Sequence, residues 1–324
     1  MGNIMQTGTV IKSTGSWYSI RTDDEARQLL QCRIVGKFRL DNIPLTNPIA
    51  VGDRVEIHPD GIPGQGLIKK ILPRRNYVLR QSPRRKHDMH LLAANIDQAI
   101  LIVTVVYPHL KPGFIDRFLV MIERDDIPVT IVFNKADLYD AEELERFEEM
   151  RAIYTNIGYH VLLTSVNDHA SLNAFRDLLE GKVTLISGQS GVGKSSLINA
   201  IQPQLQLRTG DISDYSNKGQ HTTTFAEMFD LDFGGTLIDT PGIKMLSFNN
   251  KDRHNIAHSF REFFRLSEGC RFGGQCLHRN EPGCAVHEAL RQEQVSLLRY
   301  QNYLNLLDEV EDQNYWERHR GEPE

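Results

Sequence analysis

The chain predicts a multidomain α/β fold in three parts: a small N-terminal β-barrel, a central parallel sheet covered by helices, and a C-terminal helical module. Three observations carry this. Short alternating segments fill residues 1–75, and apolar β-branched runs alternate with helical patterns from about residue 97. Three of the four cysteines crowd into the stretch after residue 248. At 324 residues the chain is long enough for two or three domains.

In residues 1–75, Thr9–Lys12, Trp17–Arg21, Gln31–Val35 and Asp53–His58 alternate apolar and polar side chains, as half-buried strands do. Turn-rich punctuation at Val51–Gly52 and from Gly61 to Gly66 separates them. About five short strands in this length suggest a closed OB-like β-barrel, a fold that commonly binds oligonucleotides. The bland alternative is a barrel that only packs against its neighbour. Residues 76–96 read as a basic linker. Between Lys69 and His87 stand Lys69, Lys70, Arg74, Arg75, Arg80, Arg84, Arg85 and Lys86 with no acidic residue, so the strip carries +8. The whole chain is −5, which leaves −13 on the remainder. Such a strip can meet phosphates while the acidic rest limits general stickiness, or it can be a solvated linker.

From residue 97 to 248, the runs Ala99–Val106, Pro128–Phe133, His160–Thr164, Val183–Ser187 and Thr236–Asp239 predict buried strands. Helical patterns at about 113–124, 141–156, 171–180 and 194–201 lie between them, which implies a parallel sheet with helices on both faces. Gly188, Gln189, Ser190, Gly191, Val192, Gly193, Lys194, Ser195 and Ser196 follow a strand and open a helix, the context of a phosphate-binding loop. Glycines let backbone N–H groups face phosphates at a helix N-terminus. Lys194 is expected to reach the β- and γ-phosphates, and Ser195 to ligate Mg²⁺.

Asn134, Lys135 and Asp137 form an N-K-x-D motif directly after an apolar strand. A carboxylate at Asp137 accepts N1–H and the N2 amine of guanine, a donor pair that adenine lacks. Asn134 is expected to brace the site, Lys135 to lie over the ring, and Thr164 and Ser165 to offer a backbone contact to guanine O6. Asp239 and Gly242 of Asp239–Gly242 are expected near Mg²⁺ and the γ-phosphate. Gly219–Thr224 sits where a switch belongs, with Thr222 or Thr223 closing over Mg²⁺. Ile243 stands where Ras-like GTPases place a water-orienting glutamine, so intrinsic hydrolysis should be slow. His221 is the candidate to orient water; otherwise it is a solvent-facing switch residue. The guanine motif precedes the phosphate loop, the reverse of the ordinary order, which suggests a circularly permuted P-loop GTPase domain.

Residues 249–324 read as a C-terminal helical zinc-binding domain with a polar tail from Glu311. One helix is expected over Asn255–Leu266 and another from about Val286 to Val310, where Leu290, Leu297 and Leu304 recur every seven residues. Cys270, Cys276, His278 and Cys284 supply three thiolates and an imidazole, the complement of a closed structural Zn²⁺ site. A redox cysteine cluster or an iron–sulfur site are the alternatives. His287 is a weaker competing ligand, and Cys32 reads as a buried strand residue. No apolar run is long enough to span a bilayer, and Met1 to Val10 lack the basic start and apolar core expected of a signal peptide. Clustered cysteines fit a reducing compartment, and the chain reads as cytoplasmic, without a membrane partner and monomeric.

Together these residues resemble the ribosome small-subunit-dependent GTPases known as RsgA or YjeQ. The barrel, N-K-A-D, G-Q-S-G-V-G-K-S-S, G-Q-H-T-T-T, D-T-P-G and the C…C-x-H…C knuckle carry the resemblance over nearly the whole chain. It implies slow GTP hydrolysis stimulated by the small (30S) ribosomal subunit. It also implies a late-stage assembly factor that binds 16S rRNA and aids release of other maturation factors. An RNA-binding scaffold that uses nucleotide only as a switch, or a GTPase of the large subunit, are the rival readings. One departure is visible: the first cysteine gap holds five residues, Arg271 to Gln275, against four in the commoner family pattern.

Overall fold

The computed structural model describes residues 5–34, 47–81, 89–123, 126–207, 226–239 and 253–318. Its N-terminal strands are β1 (Gln6–Ser13), β2 (Tyr18–Thr22), β3 (Leu29–Ile34), β4 (Arg54–Pro59) and β5 (Gln65–Ile71). Pairing runs β1–β2–β3–β5–β4 and returns to β1, so the five strands close into the expected OB-like barrel. Among these five, β3 and β5 pair in parallel and the other neighbours are antiparallel. Alternation turns Val10, Tyr18, Ile20, Cys32, Val55, Ile57 and Ile68 inward to one apolar core.

The basic strip is partly spent on folding. The Arg74 guanidinium grips the fully buried Asp53 carboxylate at 2.6 and 2.7 Å and also donates to Pro48 O at 2.8 Å. Arg75 pairs with Asp97 at 2.6 Å, and Lys70 lies 3.6 Å from Glu56. These three cations are therefore engaged with carboxylates; Arg84, Arg85 and Lys86 lie outside the described residues. The stretch read as a linker contains a hairpin, β6 (Tyr77–Gln81) against β7 (Met89–Ala94). Val78, Leu92 and Ala93 bury themselves in the central core, because their apolar faces have a helix to cover.

The central sheet adds β8 (Gln98–Val103), β9 (Val129–Phe133), β10 (His160–Leu163), β11 (Val183–Gly188), β12 (Glu227–Asp230) and β13 (Thr236–Asp239). Their order is β10-β9-β8-β11-β13-β12, parallel throughout except for the β12–β13 pair. Every residue of β8 and β9 is buried, which explains their unbroken apolar runs. Helices α1 (Pro112–Glu123), α2 (Ala141–Asn156), α3 (His169–Leu179) and α4 (Lys194–Ile201) match the four helical patterns. Asp140 and Glu143 start α2 with a reciprocal capping box, and Asp168 caps α3. Strand β1 then pairs with β12 at Lys12–Glu227, so the barrel and the central strands belong to one eleven-stranded sheet.

Each of the two expected C-terminal helices is broken in the structure. The first divides into α5 (Arg253–His258) and α6 (Arg261–Ser267). Phe260 leaves helical geometry at φ −92°, ψ 104°, which lets its ring stack on Phe263 at 5.1 Å and meet Tyr303 edge-on at 5.2 Å. The second divides into α7 (Ala285–Arg291) and α8 (Leu297–Arg318). Glu293 turns left-handed at φ 59°, and the Gln294 amide returns to Ala289 O at 2.9 Å, which ends α7. The heptad stripe fails with it, since Leu297 is 63% exposed.

Candidate active site and metal centre

Ligands of open α/β sheets bind beyond the carboxyl ends of the strands, and here the loops after β8, β9, β10 and β11 gather there. Asn134 is the bracket between them. Its Nδ2 donates to Val192 O in the phosphate loop at 2.9 Å, and its Oδ1 accepts from Thr164 Oγ1 at 3.0 Å. Folding thus joins motifs that stand 58 residues apart and in reversed order.

The phosphate loop has no room for larger residues at its ends. A Cβ on Gly188 would sit 2.2 Å from Ile102 O, and one on Gly193, at φ 89°, would sit 2.5 Å from Asn134 Nδ2. The buried Lys194 ammonium donates to Gly188 O at 2.8 Å and Gln189 O at 2.7 Å, which leaves one N–H for a ligand. Burial holds this ammonium below its usual value, and the Asp239 carboxylate opposes that shift. The same burial raises the Asp239 carboxyl, with Lys194 lowering it and Glu227 raising it. Ser195 Oγ is buried without a hydrogen-bond partner, the state in which a hydroxyl is available to a divalent cation. Ser195 therefore fits the Mg²⁺ that accompanies a nucleoside triphosphate in GTPases.

On the base side, Lys135 takes the left-handed region at φ 68° and its Nζ donates to Tyr107 O at 2.6 Å. Asp137 accepts from Ser165 Oγ at 2.5 Å and Asn167 Nδ2 at 3.1 Å. The Ser165 amide donates to Ser171 Oγ at 3.2 Å, so the next amide in the segment belongs to Val166, 40% exposed. Tyr139 latches the base motif to the end of β8, donating to Asn134 O at 2.8 Å and accepting from Val105 N at 2.9 Å. Asn167, Ser171 and Tyr139 carry no motif signature in the sequence. The polar pair Asn167-Asp168, ahead of a helical pattern, is the one local signal there, and it marks a cap. His221, Thr222, Thr223, Gly242 and Ile243 lie outside the described residues.

Cys270, Cys276, His278 and Cys284 converge with their ligand atoms all within 4.8 Å of one another, and all four residues are buried. His278 Nδ1 lies 3.4 Å from Cys284 Sγ and 3.6 Å from Cys270 Sγ. The five-residue first gap is absorbed by a single turn of 3₁₀ helix at Gly273–Gln275, so Cys270 keeps its place in the cluster. Burial pushes the Cys276 thiol up to about 12 and the His278 imidazolium down to about 4. The Cys276 and Cys284 sulfurs, which burial makes resist ionisation on their own, are donors that a bound cation would convert to thiolates. This group could hold a metal ion. His287 is not a member: its Nε2 contacts His278 O at 2.9 Å and the Tyr300 hydroxyl at 3.0 Å. Glu281, unmarked in the sequence, shapes the loop by accepting from the amides of Leu277 at 2.9 Å and Arg279 at 2.8 Å.

Known proteins are similar to this chain over nearly its whole length. The model of the RsgA GTPase matches residues 71–249, and that of the RsgA N-terminal domain matches residues 7–68. The small ribosomal subunit biogenesis GTPase RsgA 2 of Bacteroides thetaiotaomicron is 48% identical over 308 residues, 95% of this chain and 98% of that one. The RsgA of Flavobacterium psychrophilum is 44% identical over 311 residues, 95% of this chain and 94% of that one. The crystal structure of YjeQ from Thermotoga maritima superposes with a TM-score of 0.75 at 36% identity, over 95% of this chain and 99% of that one. YloQ, described as a circularly permuted GTPase, gives 0.71 at 32% identity over 95% and 96%. The chain belongs to the RsgA family of circularly permuted GTPases and is a GTP hydrolase.

Proposed function

We propose that this GTPase acts on the small ribosomal subunit, which stimulates its turnover, and serves as a late assembly factor that binds 16S rRNA. In this reading it helps other maturation factors leave the particle. The observation that supports it is the Asn134 bracket, which joins the base motif to the phosphate loop in a chain nearly half identical to small-subunit biogenesis GTPases. The work divides among a barrel at 1–75, a connecting segment at 76–96, a GTPase domain at 97–248 and a metal-bearing helical domain at 249–324. The chain acts as a monomer in the cytoplasm; no helix among the described residues is long and apolar enough to cross a membrane.

Asp137 accepts the paired guanine donors, Lys135 flanks the ring and Asn134 braces both, with the Thr164–Ser165 segment and the Val166 amide toward O6. The amides of the loop Gln189–Gly193, with Ser196 behind them, cradle the β- and γ-phosphates, and Lys194 turns its remaining N–H to the oxygens that gain charge. Ser195, one of Thr222 or Thr223, and Asp239 through water would hold Mg²⁺, which neutralises phosphate charge when bound. Water attacks the γ-phosphorus, the bond to the β–γ bridging oxygen breaks, and GDP and phosphate result. His221 orients that water and the Gly242 amide senses the γ-phosphate. Cys270, Cys276, His278 and Cys284 hold one structural Zn²⁺, a match of donor softness and number.

Hydrolysis of GTP measured with purified 30S subunits, with 50S subunits and without particles tests the proposal. Turnover is expected to rise by orders of magnitude with 30S alone. Equal rates in all three, or a response to 50S, would overturn it.

A further inference from the structure

We infer that Asn167 is a positioning residue for guanine selection, acting through Asp137. This rests on reading Asp137 as the acceptor of the guanine N1–H and N2 amine. A carboxylate turns easily about its last side-chain bond, because that torsion is broad and nearly twofold. Guanine presents its two donors in one plane, so a twisted carboxylate meets them poorly. Ser165 Oγ at 2.5 Å holds Oδ1 alone, about which the group can still turn. Asn167 Nδ2 at 3.1 Å holds Oδ2 and fixes the plane. A carboxylate has about four acceptor positions, so two remain for the base after both bonds are made.

The chain in turn places Asn167. Its amide donates to Ser165 Oγ at 3.0 Å, closing a ring of Asp137, Ser165 and Asn167. Asp168 then starts α3 by accepting from the amides of Ala170 at 3.1 Å and Ser171 at 3.2 Å. Asn167 is exposed, so shortening it opens no cavity and leaves the core intact.

The test compares the full chain with Asn167→Ala and Asp137→Asn, using equilibrium binding of GDP and ADP and the GTP turnover number at saturation. Asn167→Ala is expected to weaken GDP by about fivefold. ADP affinity and saturated turnover should stay within about twofold, because neither depends on the base-selecting carboxylate. Asn167→Asp, which sets a second carboxylate against the first, should weaken GDP further. Asn167→Ala binding GDP as well as the parent overturns the inference, and so does tighter binding, which would make the amide a competitor of the base. Equal loss of GDP and ADP overturns it too, as a merely structural effect. If Asp137→Asn leaves the GDP-over-ADP preference intact, the underlying reading of Asp137 fails. If that preference falls while Asn167→Ala is silent, only the inference fails.

Discussion

Cys270, Cys276 and Cys284 differ from Cys32 in their neighbours rather than in burial. Cys32 lies among the apolar side chains of the barrel, where burial lifts its thiol to about 11, whereas the other three face each other across His278. On the proposed zinc reading, Cys276→Ser should drop bound zinc from one per chain toward zero after dialysis, and Cys32→Ser should leave it at one, as elemental analysis would read. Residues whose chemistry fixes their spacing are legible in the sequence alone: the glycines around Lys194, the pair Asn134 and Asp137, and the cysteine knuckle. Asn167 and Tyr139 are not. Each acts by reaching a partner that only the fold supplies, and an asparagine or tyrosine in a polar stretch carries no spacing rule. The ion pair of Arg74 with Asp53 is hidden for the same reason, inside what reads as a solvated strip.

Helices α1, α6 and α8 meet around one buried charge cluster. Arg299 is 1% exposed; it donates to Glu262 Oε2 at 2.9 Å and also to Asp116, which is fully buried. Asn302 Nδ2 at 2.6 Å and the Tyr154 hydroxyl at 3.0 Å complete the shell of Asp116. This ties the GTPase core to the helices around the cysteine cluster. Arg299→Met removes the cation and strands two carboxylates, which costs about 3–5 kcal/mol. Denaturant unfolding should register that loss. Arg299→Lys should recover only part of it, because an ammonium cannot match the fork that serves two carboxylates. Sequence periodicity places the helices of the sheet domain well, since each has one apolar stripe over the sheet. It fails at Phe260 and Glu293, where a ring or a turn seeks distant packing that no local pattern records.

Across the whole molecule, reversed motif order announces the permuted sheet, and alternation announces the barrel. Their seam is illegible: β12 is four residues long, and its pairing with β1 depends on Lys12 meeting Glu227 at 3.0 Å across 215 positions. Arg21 and Asp230 form a second ion pair along the same junction. The seam has a consequence for solubility. A sheet edge with unpaired backbone groups is a template for another chain, and here the barrel's first strand occupies that edge beside β12. A chain begun after residue 71 would bare it, and would leave Glu227 and Asp230 without their cations. That truncated protein should self-associate as its concentration rises, seen by light scattering, while the full chain stays monomeric. If the truncated form stays monomeric as well, β1 does not guard the edge. The barrel is thus a plug as well as an appendage, closing the β12 side of the GTPase sheet against neighbours.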